Sequence, residues 1–143
     1  MPALVDTIIC ENIRQEANNK LSLLGVFGDE VLVARFPYLF PSLAVFQRWS
    51  LTPEEHRRGF LVCRLELRPP QGNPIILPDN RMDLNPAAAH TVQIAIQVGG
   101  LSIDGQGDFS VATFFDNAEA HVHRFRIRVP SREEVAQLQL AGF

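Results

Sequence analysis

Thr91-Val92-Gln93-Ile94-Ala95-Ile96-Gln97-Val98 puts branched aliphatic residues on even positions and polar or small ones on odd positions. Successive side chains of an extended chain point to opposite faces, so this stretch buries one face and wets the other. It reads as a half-buried strand. The same alternation recurs on either side of it. Leu61, Cys63, Leu65 and Leu67 interleave with Val62, Arg64 and Glu66. Phe109, Val111, Thr113 and Phe115 interleave with Ser110, Ala112 and Phe114, and Phe125, Ile127 and Val129 with Arg124, Arg126 and Arg128.

Further strands are predicted at Leu4–Arg14 and Leu21–Phe27, apolar on both parities as inner strands covered on both faces would be. Another spans Ser42–Leu51, where Gln47 interrupts the parity of Leu43, Val45, Trp49 and Leu51. Shorter ones are expected at Glu30–Ala34 and Pro74–Leu77. Turn residues punctuate them: Asn18-Asn19-Lys20, Gly28-Asp29, Pro69-Pro70-Gln71-Gly72 and Asp116-Asn117-Ala118. In the last hairpin both apolar sets are odd-numbered, so their pairing demands an odd-length loop. A three-residue loop at 116–118 sets Phe109 opposite Phe125 and Asp108 opposite Arg126. Residues 78–90 carry no clear pattern.

Helix signals are few. Thr52-Pro53-Glu54-Glu55 has the N-cap, Pro and Glu spacing of a helix start, and Gly59 keeps it short. Ser131 and Glu134 repeat the capping box ahead of a short helix over about 132–140, docked by a stripe of Val135 and Leu138. Strands joined by turns, without alternating long helices, predict an all-β fold. The expectation is one domain over 1–143, an antiparallel β-sandwich or partly closed barrel with a short C-terminal helix.

The composition excludes other classes. Apolar residues make up 46%, charged residues 20%, and the net charge is −3. That is too apolar for a disordered chain and lacks the Lys/Arg surplus of a nucleic-acid binder. Cys10 and Cys63 lie far apart within apolar runs, where a thiol acts as a small buried hydrophobe. The N-terminal stretch has no basic region before its apolar residues, unlike a signal peptide, and Phe36–Phe46 is too short and proline-broken to span a bilayer. A cytoplasmic location follows as the expectation, with no membrane partner.

Ile9-Cys10-Glu11-Asn12-Ile13-Arg14-Gln15-Glu16, then Asn18-Asn19-Lys20 and Leu21-Ser22-Leu23-Leu24-Gly25-Val26-Phe27-Gly28-Asp29, resembles an uncharacterised family of small bacterial proteins. That family opens with a Cys-acidic-x-x-Arg-x-Glu strand, a turn ending in Lys and a Leu-rich strand closing on Gly-Val-aromatic. Asn18-Asn19 stands where glycines are usual. The resemblance implies a bacterial or phage-associated protein of unknown function and brings no catalytic residue with it.

Three clusters carry potential chemistry. His121 and His123 share a strand face and offer half of a metal site, which His90, Asp116 or Glu119 would have to complete. Marking the strand's exit from the core is the simpler role. Arg124, Arg126 and Arg128 project from one face over roughly 14 Å and suit a partner's carboxylates, or else form a charge-protected sheet face. Arg14 and Glu16 share parity near Glu11 and allow a structural ion pair. Glycines at 99–100 and 105–107 precede strands rather than helices, so no phosphate-cradling loop and no cofactor motif is recognisable. Ten Phe against one Tyr and one Trp suit core filling better than a carbohydrate-binding face.

The expectation is a non-enzymatic structural or protein-interaction module whose partner is another protein or a second copy. A small-ligand or metal-binding β-sandwich is the alternative, and a hydrolase or isomerase comes third.

Overall fold

The computed structural model describes residues 1–87 and 89–140. Its strands are β1 (Ala3–Gln15), β2 (Leu21–Phe27), β3 (Glu30–Leu32), β4 (Tyr38–Ser50) and β5 (Phe60–Arg68). They continue with β6 (Ile75–Ile76), β7 (Asn80–Asp83), β8 (Thr91–Ile103), β9 (Gly107–Phe115) and β10 (Ala118–Arg128). Two helices, α1 (Pro53–Arg57) and α2 (Arg132–Leu140), complete the elements of the described residues. The first sheet has the order β2-β1-β4-β8 and the second β3-β10-β9-β5-β6, with β7 also paired to β5. Among the described residues pairing is antiparallel except between β3 and β10. The expected all-β class and C-terminal helix are both present.

The alternating strands supply the core between the sheets. Leu43, Val45, Trp49 and Ile94 of the first sheet face Leu65, Leu67, Phe109, Val111, Phe125 and Ile127 of the second. Each such burial contributes about 1.5–3 kcal/mol. Trp49 meets Phe115 edge-on at a centroid distance of 4.8 Å. Gln47, which interrupts the apolar parity of its strand, is nonetheless fully buried. Its Oε1 accepts from the Trp49 indole N–H and the Thr113 hydroxyl, both at 3.1 Å. Its amide sits in the core because it is hydrogen-bonded there.

The double-parity apolar pattern of β1 and β2 has a different cause from the expected one. β1 is internal in its sheet, but β2 is an edge strand. Two creases run across this sheet. In the β1–β2 hairpin Gly25 adopts φ 65°, between the partner pairs Cys10–Val26 and Asn12–Leu24. In the β4–β8 pair Gly100 adopts φ 68°, between Phe40–Leu101 and Ser42–Gly99. Glycine enters this left-handed region without steric cost. Beyond the first crease the hairpin end curls over the sheet's outer side. Leu21 and Leu23 there share a groove with Ile8 and Phe46, while the Ile13 N–H reaches Gln97 Oε1 at 3.5 Å. Cys10 and Ala44, on the outward parity, are consequently buried.

The β9–β10 register matches expectation, with Phe109 opposite Phe125 and Asp108 opposite Arg126. The loop differs. Asp116 and Asn117 form a two-residue turn, both with positive φ, and the odd residue is a bulge at Ala120 between Glu119 and His121. Helix α1 has the expected capping box: the Glu55 N–H donates to Thr52 Oγ1 and the Thr52 N–H to Glu55 Oε1. Ser131 and Glu134 exchange the same pair of bonds at the start of α2. The expected Val135–Leu138 stripe is not how α2 docks, because Val135 is exposed. Glu134 ties it to Arg128 instead. Within 78–90, β7 pairs with the start of β5, and Ala88 lies outside the described residues.

Candidate interaction surface

The outer face of the second sheet collects the even-numbered side chains of β5, β9 and the part of β10 after the Ala120 bulge, with Glu119 before it. Register aligns Arg64 with Phe114 and Arg68 with Ser110 across β5–β9. Across β9–β10 it aligns Phe114 with Glu119, Ser110 with Arg124 and Asp108 with Arg126. Arg68, Ser110 and Arg124 therefore form one row across three strands.

Arginines stack on the two phenylalanines of this face. The Arg58 and Arg81 guanidiniums lie 4.3 and 4.2 Å from the Phe60 ring centre, and Arg64 lies 4.5 Å from that of Phe114. Such contacts hold the planar cation over the ring's negative face. Most of these arginines also have carboxylate partners. Arg58 pairs with Asp116, Arg64 and Arg68 with Glu66, Arg68 with Glu119, and Arg81 with Asp83.

The arginine stripe of β10 divides into two parts. Arg128 is half-buried between Glu30 at 2.8 Å and Glu134 at 2.6 Å. Both contacts lower their carboxyl pKa values, Glu134 to about 2, through the Arg128 hydrogen bond first. Arg124 and Arg126 are exposed, and among the described residues neither has a carboxylate at ion-pair distance. Asp108 stands opposite Arg126 in register but does not close on it.

The histidines are placed otherwise. His123 stacks on Phe125 with centroids 6.2 Å apart, and burial, then the neighbouring His121, pushes its pKa down. Their suggested co-ligands are engaged elsewhere: His90 rests on His56, Asp116 holds Arg58 and Glu119 holds Arg68. Among the described residues no three metal-ligating side chains converge.

The expected Arg14–Glu16 pair is absent among the described residues. Arg14 lies exposed on the hairpin end, where a charge needs no partner, and Glu16 leaves the strand into the turn. The outward acid of β1 that does pair is Asp6, whose carboxyl pKa the Arg48 hydrogen bonds lower. Cys10 and Cys63 are free and buried, and burial raises both thiol pKa values.

A separate cavity of about 360 Å³ opens at the seam between the sheets, lined by Glu11, Phe27, Val31, Tyr38, Phe40 and Ser42.

Sequence reasoning missed the aromatic part of the arginine face. On β10 the aromatic residue between the arginines, Phe125, points into the core, but Phe114 and Phe60 come beside arginines once β5, β9 and β7 are paired. The alternation of Arg64, Glu66 and Arg68 was the available signal.

Two curled, mostly antiparallel sheets with a mosaic of arginine, phenylalanine and carboxylate on one outer face define the class: an all-β protein. The chain belongs to the family of unknown function DUF6941, whose model matches residues 6–129. That span runs from β1 through β10 and stops before α2. No curated protein matches the sequence. Among the described residues no helix is long and apolar enough to cross a membrane.

Proposed function

We propose that this protein is a non-enzymatic interaction module that binds an acidic segment of a partner protein on the outer face of its second sheet. One observation carries the reading. The other arginines of that face are neutralised within the chain, whereas Arg124 and Arg126 are exposed and, among the described residues, form no ion pair, although Arg126 lies in register with Glu30 and Asp108. Two positions apart on a strand, they stand about 7 Å from each other. That spacing matches the carboxylates of an extended segment with acids at alternate positions, and guanidinium forks suit carboxylates.

Glu66, Asp108 and Glu119 on the same face favour a protein segment over a continuous phosphate backbone, in keeping with the net charge of −3. Two unpaired buried thiols support a reducing, cytoplasmic setting. A bacterial or phage origin belongs to the same reading.

The test is binding of a labelled peptide of alternating Glu and Thr, followed by fluorescence anisotropy. Arg124→Gln/Arg126→Gln is expected to weaken binding about tenfold or more, and added salt to do the same. Arg14→Gln, on the distant hairpin end, is expected to change nothing. Equal affinity in the double variant, or preference for a single-stranded oligonucleotide, overturns the reading.

The seam cavity supports a second reading, small-molecule binding, because its volume and its mix of Phe27, Phe40, Tyr38 and Glu11 suit a compact ligand. A small-molecule screen by thermal shift, repeated on Ser42→Trp to fill the cavity, tests it. Hits that survive in the variant count against this site.

A further inference from the structure

Each edge of a β-sheet exposes backbone donors and acceptors that can recruit another strand, and soluble proteins normally guard them. The second sheet does so. β3 has three residues and β6 two, β7 carries Arg81 and Asp83, and the stretch of β10 beyond β3 carries Glu119 and Arg124. In the first sheet, β2 is short and creased at Gly25. β8 is different. It runs for 13 residues along the sheet's margin without a charged residue or a proline. Its first irregularity is Gly100, so Thr91–Gly99 is an uninterrupted strand. Among the described residues no backbone hydrogen bond reaches its free side, and the end of the β1–β2 hairpin, where Ile13, Gln15 and Leu21 stand beside Ala95–Gln97, is hydrogen-bonded to it through the Gln97 side chain.

Read against itself in the antiparallel sense about Ala95, this segment is self-complementary. Thr91 meets Gly99, Val92 meets Val98, Gln93 meets Gln97, and Ile94 meets Ile96. Aliphatic residues face aliphatic ones on the core side, amides face amides on the outer side, and no like charges meet. The core-side residues at this margin are also incompletely covered. Val92, Ile96 and Val98 are only half-buried, although their β4 partners Trp49, Val45 and Leu43 are fully buried. A neighbouring strand is the element that would cover them.

We infer that two copies of this chain join through the free edges of β8, antiparallel and with Ala95 on the two-fold axis. The two four-stranded sheets then become one of eight. The contact is isologous, so it closes at a dimer and leaves the arginine face of both copies free. It does not depend on the acidic-partner reading.

Light scattering on the eluting wild-type protein is expected to give twice the 16.0 kDa chain mass. Ala95 is exposed in the single chain, so Ala95→Lys should fold normally. That variant brings two ammonium groups together at the axis and should weaken dimerisation roughly a hundredfold. Under mild oxidation Ala95→Cys should form a covalent dimer. Thr91→Cys should not, since its two copies would stand about 27 Å apart in this register. A wild-type monomer at high concentration overturns the inference. So does a dimer that tolerates Ala95→Lys and is not cross-linked through Ala95→Cys, including one made by β2 against β8.

Discussion

The Thr113 hydroxyl of the second sheet donates a 3.1 Å hydrogen bond to Gln47 Oε1 of the first, deep in a mainly apolar core. The same oxygen takes the Trp49 indole N–H. Gln47→Leu keeps the shape but strands two donors, at a cost of about 1–3 kcal/mol each. Offset by the apolar gain, the expected net loss is about 2–3 kcal/mol in urea denaturation. Adding Thr113→Val removes one stranded donor and should recover part of it. An unchanged midpoint in the single variant would show that the polar bridge contributes nothing to stability.

Helix α2 should detach in acid. Arg128 and the capping bonds hold the Glu134 pKa at about 2 against an ordinary 4.5. A carboxyl depressed on folding stabilises above its unfolded value and loses that contribution as pH falls through its folded value. Between about pH 4.5 and 2 the amide resonances of 132–138 are therefore expected to drift toward random-coil positions. Arg128→Gln should move the transition upward in pH.

His123 acts in a milder range. Burial beside Phe125 lowers its pKa below the ordinary 6.5, so the unfolded chain binds its proton more readily than the folded one. The stabilisation is full above pH 6.5 and declines as pH falls below it. His123→Leu should flatten this slope in thermal melts taken across the acid side of neutrality. A slope identical to wild type would assign the dependence to another group.

Gly25→Ala should loosen the hairpin. At φ 65° a side chain costs about 1–2 kcal/mol, and its Cβ would stand 2.7 Å from Glu11 Cδ. Glu11→Ala is expected to relieve the crowding but not the backbone strain. Faster amide exchange at 13–23 in Gly25→Ala, with the rest of the sheet unchanged, is the predicted signature.

Much of this architecture was legible because parity is a strict constraint. Odd-numbered Phe109 and Phe125 can face each other only if one extra residue is accommodated between their strands. Parity does not say where that residue sits: a loop over 116–118 holds it as Ala118, whereas the chain holds it as a bulge at Ala120. Gly99 and Gly100 interrupt the alternation of β8, which hid its continuation to Ile103. β7 has a single apolar residue, Met82, and left no periodic trace. The arginine–phenylalanine face depended on which strands become neighbours, a long-range choice that no local spacing encodes. By contrast, Thr52 and Glu55 interact within one turn and were readable directly.

The curled-back hairpin makes the two thiols report on different events. Cys10 is sealed by a flap of its own hairpin, whereas Cys63 is enclosed between the sheets. A thiol reagent in excess should therefore modify Cys10 at the rate at which that flap lifts, and Cys63 only when the whole sandwich opens. Two labelling rates from one sample would separate a local excursion from global unfolding.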